Sequence, residues 1–412
     1  MAHYRVRYIE SWIQKMMCYS PIVGLFGHRQ VGKTSLAERL SDVYFTMDDK
    51  TSLQLAESSP HEFLLGAARR NKTVIIDECQ LSPALFPALK EYVRVHKKPG
   101  QFILTGSVRF TSRKVIRESL TGRIVNIVIP PLGSGEICEI NEPKVMETVL
   151  TLGLESGLRI AHRNLGNVGI AKNLISTTAK FGTYGGLPGV CFIRNQNVRN
   201  SKIASQIETI LERDLRQILD TTLPHTTLLR VLKELAANVG EPLNLASIQR
   251  KTRVSVNTLR RLLAAFNAMF LIEIVSPMEG NGQPSIFFID PGEAFFLAEG
   301  RLSQSQVLAQ AIYSNTIATC SALWDSKVGP LAVNCHRTRG GTDIPIVLRT
   351  TKAAFGLLPW SEGMHFESVL AQTKSFMKVT GARGVILISS EGTEVKRHHE
   401  YLIELPHHIF IS

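Results

Sequence analysis

The amino-acid sequence predicts an α/β protein: a parallel-sheet core over residues 1–140, a helical stretch after it, and a small α/β domain at the C-terminal end. Three observations predict this. Short β-branched apolar runs alternate with helix-compatible segments up to about Glu139, the pattern of a parallel sheet covered by helices. A glycine-containing stretch, GHRQVGKT, joins the first apolar run, IVGLF, to a helix candidate. A later apolar run, VIIDE, ends in two consecutive acids.

A chain of 412 residues is long for one domain, so several are expected. The 47 basic against 35 acidic residues leave a net charge of +12, which makes nucleic acid, acidic surfaces or anionic ligands plausible partners and says nothing about fold. The six cysteines (18, 79, 138, 191, 320 and 335) show no metal spacing and fit reduced thiols. Charges interrupt residues 1–20, so they do not read as a signal peptide, and no apolar run is long enough to span a bilayer. The expectation is a soluble, cytoplasmic protein.

Taken in order, Tyr8–Met17 reads as a short amphipathic helix. VYFTMDD, TVIIDE, QFILTG and IVNIVIPPL read as buried strands, with TSLAERL, SPHEFLLGAARR and LFPALKEYVRVH as the helices between them. Residues 141–225 read as a helical linker region interrupted by YGGLPGV. Residues 226–300 read as a compact helical set followed by two strands, and 301–412 as a further α/β region.

Within GHRQVGKT, Gly27, Gly32, Lys33 and Thr34 stand in the G-x-x-x-x-G-K-T arrangement. The glycines let the backbone turn sharply and aim the N–H groups of His28, Arg29, Gln30, Val31 and Ser35 and their neighbours at phosphate oxygens. The following helix presents its positive end. Lys33 reaches the β/γ-phosphates and Thr34 can ligate Mg²⁺. Asp77, at the end of the VIID strand, can hold the metal directly or through water, and Glu78 is placed to polarise an attacking water. On the QFILTGS strand, Thr105 and Ser107 can sense the γ-phosphate, although such residues at strand ends are also ordinary turn formers. Arg123, in SLTGRI, is a candidate arginine finger, in cis or from a neighbouring subunit of a homo-oligomer.

In LNLASIQRKTRVSVNTLRRLLAAF, residues 243–266, two helices with a short turn are expected. Leu245, Ile248, Val254, Leu259, Leu262 and Leu263 form the packing face, and Ser255 caps the second helix. Arg250, Lys251, Arg253, Arg260 and Arg261 fall between Leu245 and Arg261 with no acid among them, the footprint of a helix on a phosphate backbone. A solvated face, or a protein-interaction module, is the alternative. A second acid-free basic stretch runs from Lys97 to Arg117. The histidines at 398, 399, 407 and 408 read as solvated surface residues, and Trp12, Trp324 and Trp360 as core or interface anchors.

The segments FGHRQVGKTSLAERL, YFTMDD, HEFL, VIIDECQLSPALFPALKEYV, GQFILTGSVRF and ESLTGRIVNIVIPPLGSGE resemble, in order, a prokaryotic AAA-type P-loop ATPase family with a C-terminal region of unknown function. The resemblance covers residues 1–140 and continues more loosely through YGGLPGV and ILERDLRQIL to Asp290, where that family has a winged helix. It implies a P-loop NTPase core followed by a helical, winged-helix region. It also implies ATP as nucleotide, Mg²⁺ as cofactor and hydrolysis as the reaction, with Lys33 and Thr34 on phosphate and metal, Asp77 and Glu78 on metal and water, and Ser107 or Thr105 as sensor. His28 stands where the family usually has proline. The family's nuclease-like C-terminal domain is expected here in a degenerate, non-catalytic form, because GGTDIPIVL offers Asp343 and Pro345 and AAFGLLPW lacks the carboxylate and lysine a nuclease metal needs. Two other readings stay open: an ATP-gated switch or DNA-binding module that scarcely hydrolyses, and a small-molecule kinase.

Overall fold

The structure, a computed structural model, describes all residues except 1–3, 70–71, 110–119, 141, 167, 280–281, 325–327, 329–330, 339, 362, 391 and 393. The chain divides into two compact units. One holds residues 9–130 with 268–271, the other residues 1–8, 131–267 and 272–412.

The first unit opens with α1 (Glu10–Tyr19), followed by β1 (Ile22–Phe26), α2 (Lys33–Glu38) and β2 (Val43–Thr46). Then come α3 (Lys50–Ser58), α4 (Pro60–Ala68), β3 (Val74–Asp77), a single 3₁₀ turn at Cys79–Leu81, α5 (Leu85–Val95), β4 (Phe102–Gly106) and β5 (Ile124–Val128). The four expected strands after the glycine-rich stretch all form. The helix α3 escaped the sequence reading; Asp49 starts it by accepting the Ser52 N–H at 2.8 Å.

The strands make one five-stranded sheet in the order β2-β3-β4-β1-β5, and every pairing is parallel. β1, β3 and β4 are buried along their whole length, which explains their unbroken apolar runs. The register pairs Phe26 with Gly106 and Thr46 with Asp77. The carboxyl ends of β1, β2, β3 and β4 therefore line one edge of the sheet, where ligands of open parallel sheets bind.

The second unit is larger. Helices α6 (Ser134–Ile137), α7 (Lys144–Leu152), α8 (Leu154–Leu165), α9 (Val168–Tyr184), α10 (Gln196–Thr209) and α11 (Leu215–Ile218) come first, with a π-helical turn at Ile210–Asp214. Next are α12 (His225–Ala236), α13 (Leu245–Thr252) and α14 (Val256–Ala268), then the antiparallel pair β6 (Ile272–Val275) and β7 (Ser285–Phe288). The unit continues with α15 (Pro291–Ala298), α16 (Gln304–Ala322), β8 (Ala332–Arg337), β9 (Asp343–Arg349) and β10 (Ala354–Trp360). It ends with α17 (Phe366–Thr380), β11 (Gly384–Ser389), β12 (Lys396–His399), β13 (Leu402–Pro406) and α18 (His407–Phe410).

The last six strands form a sheet in the order β12-β13-β11-β10-β9-β8, parallel at β10-β11 and β11-β13 and antiparallel elsewhere. Ile386 and Ile388 face one core with Ile312, Tyr313 and Phe410, while Val385 and Leu387 face the other with Val369 and Phe376 of α17. That two-residue alternation lets one strand serve two cores. Residues 131–140, read from sequence with the first domain, lie in this unit, together with residues 141–267 and 272–412.

YGGLPGV is explained by packing. The Asp290 carboxylate accepts the N–H groups of Gly186 at 2.6 Å, Leu187 at 3.1 Å and Glu293 at 3.1 Å. A side chain on Gly186 would meet the Leu132 carbonyl, and Gly185 has φ +76° against the same carboxylate. Only glycine fits both positions. The motif is a structural joint.

One expectation is corrected. His407 and His408 are buried, because the apolar Ile409, Phe410 and Ile411 draw the last helical turn into the core. His407 bonds the Asn315 side chain at 3.1 Å. Burial pulls both rings down, to about 3 for His407 and about 4 for His408, so they are neutral. His398 and His399 are exposed, as expected. Trp12, Trp324 and Trp360 are each half-buried. None of the six cysteines, all among the described residues, is in a disulfide. No helix among the described residues is long and apolar enough to cross a membrane.

Candidate nucleotide-binding site

The glycine-rich stretch leaves β1 at Gly27 and enters α2 at Lys33. Gly27 is required by space: a Cβ there would lie 2.5 Å from the Ile129 carbonyl oxygen. Gly32 is required by backbone, with φ +92° just before the helix, and Gln30 also has a positive φ of 61°. His28 and Val31 are buried, Arg29 and Thr34 half-buried, and Gln30 and Ser35 exposed. Lys33 is buried and curls back over the loop, donating to the carbonyls of Gly27 at 3.1 Å and His28 at 2.9 Å. Burial is the main cause that lowers the His28 ring to about 4, and Nδ1 bonds the Arg29 carbonyl at 2.8 Å. A neutral ring inside the fold is compatible with the place where the resembling family carries proline.

Asp77, the last residue of β3, is the hub. Its Oδ2 accepts from the Thr34 hydroxyl at 3.0 Å and the Tyr44 hydroxyl at 2.5 Å. Its Oδ1 accepts from the Thr105 hydroxyl and, at 3.2 Å, from the Glu78 N–H. Glu78 follows with φ +51°, a left-handed backbone uncommon outside glycine, which turns its carboxylate back along the sheet edge. The Gln80 amide and, at 3.5 Å, the Ser107 hydroxyl contact its Oε2.

Lys33, Thr34, Asp77, Glu78, Thr105 and Ser107 thus converge at one sheet edge, and Tyr44 and Gln80 join them unforeseen. Tyr44 lies in VYFTMDD, one strand from Asp77 in the parallel order, so the strand alternation held a signal for it. Gln80 held none, because its position depends on the turn after Glu78.

Arg123 is not brought there. It precedes β5, whose first residue Ile124 pairs with Ile22 at the start of β1. Five residues of strand separate that end from the glycine-rich loop, roughly 16 Å. The cis arginine-finger role does not fit this placement. Of the second basic stretch, Arg113, Lys114 and Arg117 lie outside the described residues.

Residues 19–138 match the family described as an AAA domain. They form an AAA-type P-loop domain. The parallel sheet and the loop-to-helix site just described are those of that class. Downstream of the AAA domain, residues 178–298 match a domain of unknown function (DUF8612). Among curated relatives, the chain is 26% identical over 288 residues to the uncharacterized proteins Rv2008c of Mycobacterium tuberculosis and Mb2031c of Mycobacterium bovis. That alignment covers 68% of this chain and 56% of theirs, so the chain spans about half the length of the relatives it matches. Among solved structures it is similar to the Walker-type ATPase PABY2304 of Pyrococcus abyssi (16% identity, 70% of this chain, 94% of that one, TM-score 0.41). It is also similar to the Orc1 protein of Aeropyrum pernix solved with DNA (13%, 73% and 94%, TM-score 0.27).

In the second unit, Arg250, Lys251, Arg253, Arg260 and Arg261 are all exposed, and Ser255 caps α14 by accepting the Thr258 N–H at 3.2 Å. They are not equivalent. Lys251 pairs with Glu234 at 2.9 Å, and Arg261 donates to the Asp220 carbonyl at 3.2 Å. Asp343, at the start of β9, pairs with Arg337 at 2.8 Å. No cluster of three or more metal-ligating side chains occurs among the described residues.

Proposed function

We propose that the AAA domain binds ATP with Mg²⁺ and hydrolyses it to ADP and phosphate, driving a conformational change coupled to duplex DNA or a protein partner. The observation that carries this reading is the Thr34–Asp77 contact beside the curled Lys33, with Glu78 at the same sheet edge.

Loop N–H groups and the α2 terminus face the phosphates, and Lys33 exchanges its loop carbonyls for β/γ-phosphate oxygens. Thr34 and Asp77 fit Mg²⁺: one hydroxyl and one carboxylate are hard oxygen donors, and this ion keeps several waters and takes few protein ligands. When bound it neutralises phosphate charge. Glu78 accepts a proton from the attacking water as the water oxygen bonds the γ-phosphorus. The bond from that phosphorus to the bridging oxygen breaks, and ADP leaves with the electron pair. Thr105 and Ser107 hold the two carboxylates in place and are the proposed γ-phosphate sensors.

For the partner, α12–α14 with β6 and β7 are read as a winged helix, and the exposed Arg250, Arg253 and Arg260 favour a phosphate backbone. The strand set β8–β13 is read as a decayed nuclease fold in which Arg337 neutralises Asp343.

A second reading, an ATP-gated switch with negligible turnover, is favoured by the grip of Gln80 and Ser107 on Glu78, which restrains the base. Phosphate release from ATP, with and without duplex DNA and with Lys33→Ala as blank, separates them. Release above the blank that Glu78→Gln abolishes supports the hydrolase. ATP binding with no release above the blank supports the switch. Release unchanged by DNA moves the winged helix to a protein partner.

A further inference from the structure

The second unit contains a cavity of about 410 Å³ that plays no part in the reading above. The last two turns of α9 form one wall, the segment 191–194 the opposite wall, and Ile137 at the end of α6 closes one side. The volume falls in the range of small-ligand pockets.

Its chemistry is uneven. The apolar lining is aromatic and branched: Phe181, Tyr184, Phe192, Ile137 and Ile193. Phe192 is 38% exposed although it is a large aromatic, so its ring is presented to the cavity and solvent. The charged lining is of one sign. Lys180 and Arg194 contribute two cations, and among the described residues no carboxylate lines the cavity. Neither cation has a carboxylate partner among the described residues. The hydroxyls of Ser176 and Thr177 add neutral hydrogen-bonding groups.

The walls are also held. Arg199, itself buried, lies over the Tyr184 ring at 3.7 Å and donates to the Ile193 carbonyl at 2.8 Å, tying the two walls together. Arg5 lies over the Phe192 ring at 5.3 Å and pairs with Glu139 at 3.2 Å. A preformed apolar cavity with unneutralised cations at its lining recognises a flat body through its rings and an anion through Lys180 and Arg194. Burial pushes the Cys191 thiol up to about 12, so it contributes a neutral surface rather than a nucleophile.

We propose that this cavity binds a small ligand made of a planar ring system and one anionic group, a phosphate or a carboxylate. Nothing in ATP turnover at the loop requires it. It is a separate site, on a different unit of the chain.

The test titrates the full chain with anilinonaphthalene sulfonate, a ring system bearing an anion whose fluorescence rises on transfer out of water, and then competes it off. AMP, adenosine, indole acetate and indole are the competitors. The expected result is saturable probe binding, displaced by AMP or indole acetate about tenfold or more below the concentration their neutral counterparts need. Lys180→Glu with Arg194→Glu weakens the probe and the anionic competitor by about tenfold or more and leaves the neutral competitors unchanged. Both residues are exposed, so the variant keeps its circular dichroism and melting profile. Phe192→Ala weakens charged and neutral competitors together. Displacement by AMP alone assigns a nucleotide-type phosphate; displacement by indole acetate alone assigns a carboxylate. Probe binding that is not saturable, or that survives the double charge reversal, overturns the proposal, as does equal displacement by charged and neutral competitors. ADP added in excess distinguishes the loop: signal lost with ADP but unaffected by the charge reversal places the probe at the phosphate loop and also overturns the proposal.

Discussion

The Thr34 hydroxyl donates to the Asp77 carboxylate at 3.0 Å across forty-three residues of sequence. This contact joins the first turn of α2 to the end of β3, the two places proposed above to hold Mg²⁺. Asp77 is further fixed by Tyr44 and Thr105, so its carboxylate is oriented before any ligand arrives.

Tyr44→Phe removes one of those donors without changing shape. Burial first, and then the bond to Asp77, raises the Tyr44 hydroxyl above its ordinary value, so it is a donor at any working pH. The expected outcome is a Mg²⁺ requirement raised roughly tenfold, as when groups supporting a metal ligand are lost, with ATP affinity in saturating Mg²⁺ little changed. A Mg²⁺ titration of nucleotide binding measures it.

His28 should make the AAA domain acid-sensitive. Its folded value, about 4, lies below its ordinary 6.5, so between those values the unfolded chain binds a proton that the folded one does not. Stability is therefore present above about pH 6.5 and falls as pH drops toward 4, with a slope of about 1.4 kcal/mol per pH unit. His407 and His408 act in the same direction in the other unit, and Asp290, raised to about 6 by burial, opposes them there. The difference in melting temperature between wild type and His28→Gln, followed from pH 7 to pH 5, cancels those common contributions and should shrink as pH falls.

Glu136 is a buried acceptor for Arg7 at 3.2 Å and for the N–H groups of Tyr8 at 2.7 Å and Gly133 at 2.9 Å. Glu136→Ala leaves all three without that partner and should cost about 3–5 kcal/mol in the second unit. Glu136→Gln keeps the shape and an acceptor oxygen and should cost clearly less. Urea unfolding of both variants gives the comparison.

If α13 and α14 lie on DNA, their basic residues should contribute unequally. Lys251 and Arg261 are already engaged within the unit, whereas Arg250, in the last turn of α13, and Arg253, at its C-cap, are exposed. Arg250→Ala with Arg253→Ala should lower duplex affinity more than Lys251→Ala with Arg261→Ala. It should also reduce the salt slope by about 0.9 for each phosphate contact removed. Fluorescence anisotropy at several salt concentrations decides the matter.

The parallel sheet and the glycine-rich loop were legible because both rest on local rules: apolar runs for buried strands, and glycine where φ is positive or space is absent. Asp77 and Glu78 were legible because a strand's end is set by its own residues. Gln80 was not, since its contact with Glu78 depends on a left-handed turn that sequence does not announce. Arg123 looked like a site residue by motif order, but register puts it at the far end of β5. His407 and His408 misled because their burial is imposed by the apolar residues that follow them and by the core from α16. Contacts of long range decide such cases, and composition near the residue does not.

The Arg7–Glu136 pair has its two ends on either side of the AAA unit in the chain, 129 positions apart. During synthesis, residues 9–130 are complete, apart from Ala268–Leu271, before Glu136 exists. The AAA sheet can therefore collapse on the emerging chain while Tyr4–Tyr8 waits undocked. Closing a loop of that length is a slow, late event. Residues 4–8 are therefore expected to settle onto the second unit only after Glu136 has been made, and Arg7→Ala should be felt in assembly of that unit rather than at the phosphate loop.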